Sequence, residues 1–453
     1  MARKVAFDVL RAVDERDAYA NLTLPGLLRD RGLAGRDAAL ATELAYGTLR
    51  AAGRYDAVIA ACVDRSLDDI DPPVRDVLRI GAHQLLATRI PPHAAVATSV
   101  ELAKTEVGDG PARFVNAVLR KVAATDVAGW VDRLAPVAST DPIERLALEH
   151  AHPAWVVRAL NDALPRWPVE PEAGKSVDVH AELGRALAAN NEPPSVTLVA
   201  RPGRSSVDEL VAAGAVATRW SPYGAVLGAG DPSNVLAVRE GRAGVQDEGS
   251  QLVALALANA EIDGSDAQWL DMCAGPGGKA ALLAGLATER DTRLTAMEVA
   301  PHRAALVEQA LGTARGGHRV IVGDARSDVP DAGSYDRVLL DAPCTGLGAL
   351  RRRPEARWRR TPGDVPTLRK LQAELLKSAL IAVRPGGVVA YVTCSPHLAE
   401  TRTVVDGAAQ NVQWIDARPY LPGVPDLGPG PDVQLWPHRH GTDSMYLALL
   451  RRR

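Results

Sequence analysis

From Ala267 onward, short apolar runs and helical patterns take turns along the chain. The runs are 268–271, 294–299, 319–322, 337–340 and 388–393, each of strand length. Apolar residues at helical spacing fill the gaps at 279–287, 301–311 and 367–383, and Pro385-Gly386-Gly387 is expected to stop the last of these before its strand. Such alternation predicts a parallel sheet with helices on both faces. Ligands of such sheets bind beyond the carboxyl ends of the strands, so what stands at those ends carries the functional reading.

The first run ends at Asp271 and opens into Cys273, Ala274, Gly275, Pro276, Gly277, Gly278 and Lys279, with a helix at once after it. Glycines let a backbone approach a ligand closely, and a helix N-terminus presents free N–H groups. Gly275-x-Gly277-x-x-Ala280 satisfies a loose dinucleotide fingerprint, which leaves a nicotinamide oxidoreductase open. A phosphate-binding P-loop is excluded. Cys273 stands where its first glycine is needed, and Ala280 where its Ser or Thr is needed.

The other strand ends are polar or reactive. Glu298 ends the second run and can accept from ribose hydroxyls. Asp324 follows the third and can accept from an adenine amino group. The fourth ends in Asp341-Ala342-Pro343-Cys344 and the fifth in Thr393-Cys394-Ser395. Two cysteines on neighbouring strands suit chemistry on a cytosine. Its C5 is a poor nucleophile until a thiolate adds to C6, after which C5 can attack an activated methyl group. That route needs a thiolate, an acid near N3 and a second acid/base group. Cys394, Asp341 and Cys344 can fill these roles. Chemistry alone also allows Cys344 as the nucleophile, because DNA cytosine-C5 methyltransferases carry theirs on a Pro-Cys pair.

A chain of 453 residues predicts two or three domains. Residues 1–125 read as an all-helical bundle, with Val5, Val9 and Leu10, then Leu40 and Leu44, then Val74, Val77 and Leu78 at helical spacing. Residues 126–240 read as a linker and small α+β domain. Helices are expected there at 142–148, 155–164 and 207–213, a strand at 196–200, and a loop through Pro165, Pro168, Pro171 and Gly174. Residues 241–453 form the α/β Rossmann-like domain. Aromatics are only 4%, so Leu, Val and Ala must build the cores. The four cysteines are widely spaced and suit neither a zinc site nor a disulfide framework. No apolar run approaches the ~18–20 residues of a membrane span, and the start is not a signal peptide, so a cytoplasmic chain is expected.

Net charge is -3, so nucleic acid needs a local basic surface. The run Arg351, Arg352, Arg353, Arg357, Trp358, Arg359 and Arg360 offers one directly after Cys344, and it is expected to bind RNA.

Taken together, Cys273–Lys279, the Asp341-Ala342-Pro343-Cys344-Thr345-Gly346 stretch and Thr393-Cys394-Ser395 resemble the motifs of the RNA cytosine-C5 methyltransferases of the Nol1/Nop2/Sun group. Over nearly its whole length the chain looks like the bacterial small-subunit rRNA enzymes of the RsmB (Sun/Fmu) type. The helical residues 1–125, with Phe114-Val115-Asn116-Ala117-Val118-Leu119-Arg120, resemble a NusB-like RNA-binding domain. The resemblance implies S-adenosylmethionine held by Cys273–Lys279, Glu298, Asp324 and Asp341. It implies Cys394 as nucleophile, Cys344 as the group that lets product leave, 16S rRNA as partner, and a monomer needing neither metal nor membrane. Three departures stand out: Gly275 replaces the usual alanine, Ala280 the usual Thr or Ser, and Ser444-Met445-Tyr446 the usual Gly-Phe-Phe. The alternatives are a non-catalytic RNA-binding or ribosome assembly factor with the same fold, and a cytosine-C5 methyltransferase acting on another RNA.

Overall fold

A computed structural model of the chain describes residues 1–137, 140–168, 179–228, 230–312, 317–408 and 412–453. Pro171 and Gly174 lie outside them. The chain forms two compact units. One comprises Met1–Arg158, Asn190–Glu192 and Leu350–Arg360; the other comprises Ala159–Ala189, Pro193–Ala349 and Thr361–Arg453.

The first unit is helical. Its main helices are Ala2–Arg16, Gly35–Arg50, Pro72–Ala87, Pro92–Glu106 and Asp109–Val122. Two of them carry proline in the first turn, where the missing N–H costs nothing. Val5, Val9, Leu10, Leu44, Val77, Leu78, Val115 and Leu119 all lie in one buried core. Each such side chain contributes roughly 1.5–3 kcal/mol by leaving water.

The second unit holds two sheets. The smaller has strands β1 (Val196–Ala200), β2 (Ala215–Ala217), β3 (Gly224–Leu227) and β4 (Ala243–Val245), in the order β2-β3-β1-β4 and all antiparallel. The larger contains β5 (Gln268–Asp271), β6 (Arg293–Glu298), β7 (Arg319–Val322), β8 (Tyr335–Asp341), β9 (Val383–Thr393), β10 (Val412–Ile415), β11 (Val433–Gln434) and β12 (Tyr446–Arg452). Its order is β10-β12-β9-β8-β5-β6-β7, with β11 on β12. The five strands β5 to β9 are parallel, as the alternation predicts. β12 joins antiparallel beside β9.

Two expectations are corrected. Residues 126–240 do not form a body of their own: those up to 158 belong to the helical unit, and most of the rest joins the second. The reason is packing, since Val199 of β1 lies in the same apolar core as Leu252, Trp269 and Leu282. The helix Asp364–Ala382 also stops before Pro385-Gly386-Gly387, which lies inside β9. Gly386 takes a φ of +80°, open to glycine at little cost, and β9 pairs with β8 across a register shift between Tyr335 and Arg337.

Candidate active site

All the strand-end residues lie at the carboxyl edge of β5 to β9, in the second unit. β8 and β9 are parallel neighbours with Asp341 opposite Val392. Cys344 and Cys394 therefore leave adjacent strands on the same edge, and their sulfurs lie 3.4 Å apart. Both are partly exposed and neither is in a disulfide. Backbone bonds hold this approach. Gly348 N–H donates to the Cys394 carbonyl at 2.9 Å, and Ser444 N–H donates to the Gly348 carbonyl at 2.9 Å. A Cβ on Gly348 would sit 2.2 Å from the Ser444 carbonyl oxygen, so only glycine fits.

The two thiols differ in character. The contact with Cys394, burial and, less strongly, the Glu400 carboxylate push the Cys344 thiol well up, which favours its protonated form. Lys279 stands on the other side. Burial pulls its ammonium down, but Asp341, Cys394 and Asp271 outweigh that and hold it charged. Its Nζ is 2.8 Å from Asp341 Oδ2. A cation there favours a thiolate on Cys394.

The glycine loop is tightly fitted. Gly277 has a φ of +110°, and a Cβ there would lie 2.6 Å from the Ala310 side chain. Gly275 N–H donates to Glu298 at 3.0 Å, and Arg303 reaches both the Gly275 carbonyl at 2.6 Å and Glu298 at 3.5 Å. Glu298 also accepts from Ala300 N–H. Asp324 is gripped by Arg326, which holds its carboxyl below the usual range. Burial raises the Cys273 thiol, leaving it inert. Asp271 is 1% exposed and neither oxygen finds a hydrogen bond. Burial and the nearby Asp341 carboxylate push it up to about 8.

These residues fit a cationic nucleoside. Asp271, Glu298, Asp324 and Asp341 line the edge around a close-approach loop, and Asp271 is an orphaned buried acid beside it. The carboxylates of Glu298, Asp324 and Asp341 would disfavour a pyrophosphate there, which argues against a dinucleotide.

The arginine run is corrected. Arg357 is 0% exposed and is spent inside the helical unit. Its guanidinium donates to the carbonyls of Arg50, Ala151 and Asn190 and to Asn191 Oδ1. Trp358 Nε1 donates to the Leu49 carbonyl at 2.8 Å, and a Cβ on Gly53 would overlap its ring. Arg359 donates to the carbonyls of Val13, Asp17 and Ala18. These three serve as internal clamps and are not free to meet phosphate. Arg351, Arg352 and Arg360 are partly exposed. Arg353 is exposed and lies 5.1 Å over the Tyr19 ring.

Sequence reasoning missed Glu400. It is 0% exposed and accepts from Thr345 N–H and Oγ1, Ser395 Oγ and Gln372 Nε2. Its signal was only an acid six residues past Cys394 in a weakly patterned stretch. The Ser444-Met445-Tyr446 departure is absorbed by packing. Met445 and Tyr446 are buried, and Tyr446 Oη donates to Asp432 at 3.0 Å.

A parallel sheet whose carboxyl edge joins a glycine loop, acids for a cationic nucleoside and a proton-sharing thiol pair defines a methyltransferase, with S-adenosylmethionine as its cofactor. Residues 254–451 match the family described as 16S rRNA methyltransferase RsmB/F, and residues 1–124 match the NusB family. The chain belongs to the RsmB/F methyltransferase family. It is 54% identical to the putative methyltransferase Rv1407 of Mycobacterium tuberculosis over 457 residues, covering 100% of this chain and 96% of that one. It is 32% identical to ribosomal RNA small subunit methyltransferase B of Pseudomonas putida, covering 89% and 87%. The solved structure of PH0851 shares its fold, with a TM-score of 0.79 at 20% identity over 100% of this chain and 98% of that one. Among the described residues no group of His, Cys, Asp and Glu is placed to hold a metal, and no helix is long and apolar enough to cross a membrane.

Proposed function

We propose that this chain methylates C5 of a cytosine in 16S rRNA through a covalent adduct between Cys394 and C6. The observation that carries the reading is the thiol pair at 3.4 Å, beside the Lys279–Asp341 ion pair. Cys273–Lys279, Glu298, Asp324 and Asp341 would hold S-adenosylmethionine, which would supply an activated methyl group. Cys394 Sγ bonds to C6 of a splayed-out cytosine, and the C5=C6 electron pair becomes available at C5. Asp341 would face N3, and the Lys279 ammonium paired with it would offset the negative charge that develops on the ring. C5 would then take the methyl as its bond to the sulfonium sulfur breaks and the neutral thioether departs, after which the C5 proton would be lost to solvent. Electrons return to re-form the C5=C6 bond as the C6–S bond breaks. Cys344 assists that release by giving its proton to the departing Cys394 sulfur, which the 3.4 Å separation of the two sulfurs allows.

The substrate assignment is carried over from relatives named as ribosomal RNA small subunit methyltransferase B. The NusB-like helices and exposed Arg353 would help hold RNA, in the cytoplasm where subunits assemble. Bisulfite sequencing of small-subunit rRNA tests it, in cells with the protein, without it, and with Cys394→Ala. One protected cytosine should vanish in the last two strains. A cytosine pattern unchanged between the first two would refute the substrate.

A further inference from the structure

Outside the thiols, the residue most committed to their surroundings is Glu400. Its carboxylate is wholly buried, and among the described residues no Lys or Arg pairs with it. Buried carboxylates survive only where donors saturate them. Here the donors come from two places. Oε1 takes Thr345 N–H at 2.8 Å and Gln372 Nε2 at 3.2 Å. Oε2 takes the Thr345 hydroxyl and, at 2.7 Å, the Ser395 hydroxyl. Those hydroxyls also touch each other at 3.1 Å. Thr345 directly follows Cys344 and Ser395 directly follows Cys394. Gln372 also donates to the carbonyl of Pro343, on the other side of Cys344. Tyr391 Oη donates to the Glu400 carbonyl and so fixes the residue to β9. One carboxylate thus binds the two cysteine-bearing turns to each other.

We infer that Glu400 is the positioning residue of the thiol pair, holding Cys344 and Cys394 at the separation that lets one sulfur pass its proton to the other. It touches no substrate atom. Its negative charge adds to the Cys394 contact and the burial that raise the Cys344 thiol. The two hydroxyls are its separate grips. Thr345→Val releases the Cys344 turn, and Ser395→Ala releases the Cys394 turn.

The inference rests on the covalent reading above, and the experiment separates the two. Thr345→Val, Ser395→Ala and Glu400→Gln are made in the full chain, with S-adenosylmethionine binding as the check on folding. With rRNA transcript, Thr345→Val should raise the ratio of trapped adduct to turnover on the order of tenfold, because release is loosened. Ser395→Ala should lower adduct and turnover together, because attack is loosened. Without RNA, iodoacetamide should label Cys394 ahead of Cys344 in the wild type, and Glu400→Gln should narrow that lead severalfold. An unchanged lead in Glu400→Gln, or equal adduct ratios in the two hydroxyl variants, would reduce Glu400 to a core anchor and overturn the inference. Absence of adduct even in Cys344→Ala would sink the covalent reading instead, and the RNA-free labelling would still decide for or against Glu400.

Discussion

The Lys279 ammonium lies 2.8 Å from Asp341, joining the first residues of the helix after β5 to the tip of β8. It is the cation placed among Asp271, Asp341 and Cys394. Its removal leaves two carboxyls facing each other and takes the nearby positive charge from Cys394. Lys279→Met should therefore slow alkylation of Cys394 at pH 7 and shift its pH midpoint upward. Stability should fall by about 1–3 kcal/mol, less than for a fully buried pair because Asp341 is 28% exposed. Residue-resolved labelling against pH and thermal melts measure both.

Asp271 gives the cofactor-free protein a pH dependence. Burial and Asp341 keep its proton on up to about 8, whereas an unfolded aspartate releases it near ~3.9. Between those values the folded chain holds a proton that the unfolded chain has lost. Stability from this group is therefore lost as pH rises from about 4 through about 8. Asp271→Asn cannot titrate. Its melting temperature should gain on the wild type most at the alkaline end and least near pH 4, and parallel curves would contradict the assignment.

Gly277→Ala tests the loop. The new methyl meets Ala310 at 2.6 Å and must be carried at a φ of +110°. Strain and overpacking together should cost about 2–4 kcal/mol. S-adenosylmethionine affinity, read by calorimetry, should fall at least as steeply as stability.

Cysteine replacement separates attack from release. Cys394→Ala should bind S-adenosylmethionine normally yet form neither product nor adduct. Cys344→Ala should accumulate an enzyme–RNA adduct that survives a denaturing gel. The reverse pattern would exchange the two roles.

Arg357 contrasts stability with RNA contact. Arg357→Ala strands the carbonyls of Ala151 and Asn190 and empties a buried site, at about 2–4 kcal/mol. Lysine cannot reproduce the fork of donors, so Arg357→Lys should recover little. The salt dependence of RNA binding should not change, because this guanidinium meets no phosphate.

That Asp271, Glu298, Asp341 and Cys394 share one edge of the sheet was legible because strand ends are local features. These residues follow apolar runs whose length marks where each strand stops. The arginine run was not legible. Nothing near Arg357 tells it from Arg353, since the carbonyls that bury it belong to Ala151 and Asn190, far away in the chain. Glu400 failed for the same reason: its importance lies in Thr345 and Ser395, not in its neighbours. β2 and β4 escaped because three residues carry no readable period. β9 was read short because Pro385-Gly386-Gly387 signals a stop, and only pairing with β8 carries the strand through it.

Leu350–Arg360 belongs to the helical unit although it is made late. As the ribosome extrudes this chain, the first helices emerge long before the segment that plugs them. Until then the bed over Gly53 and the carbonyls of Ala151 and Asn190 stay open to water. The amino-terminal bundle therefore reaches its finished form only after most of the chain has been synthesised, and neither protease nor cloning boundary can free it whole with one cut.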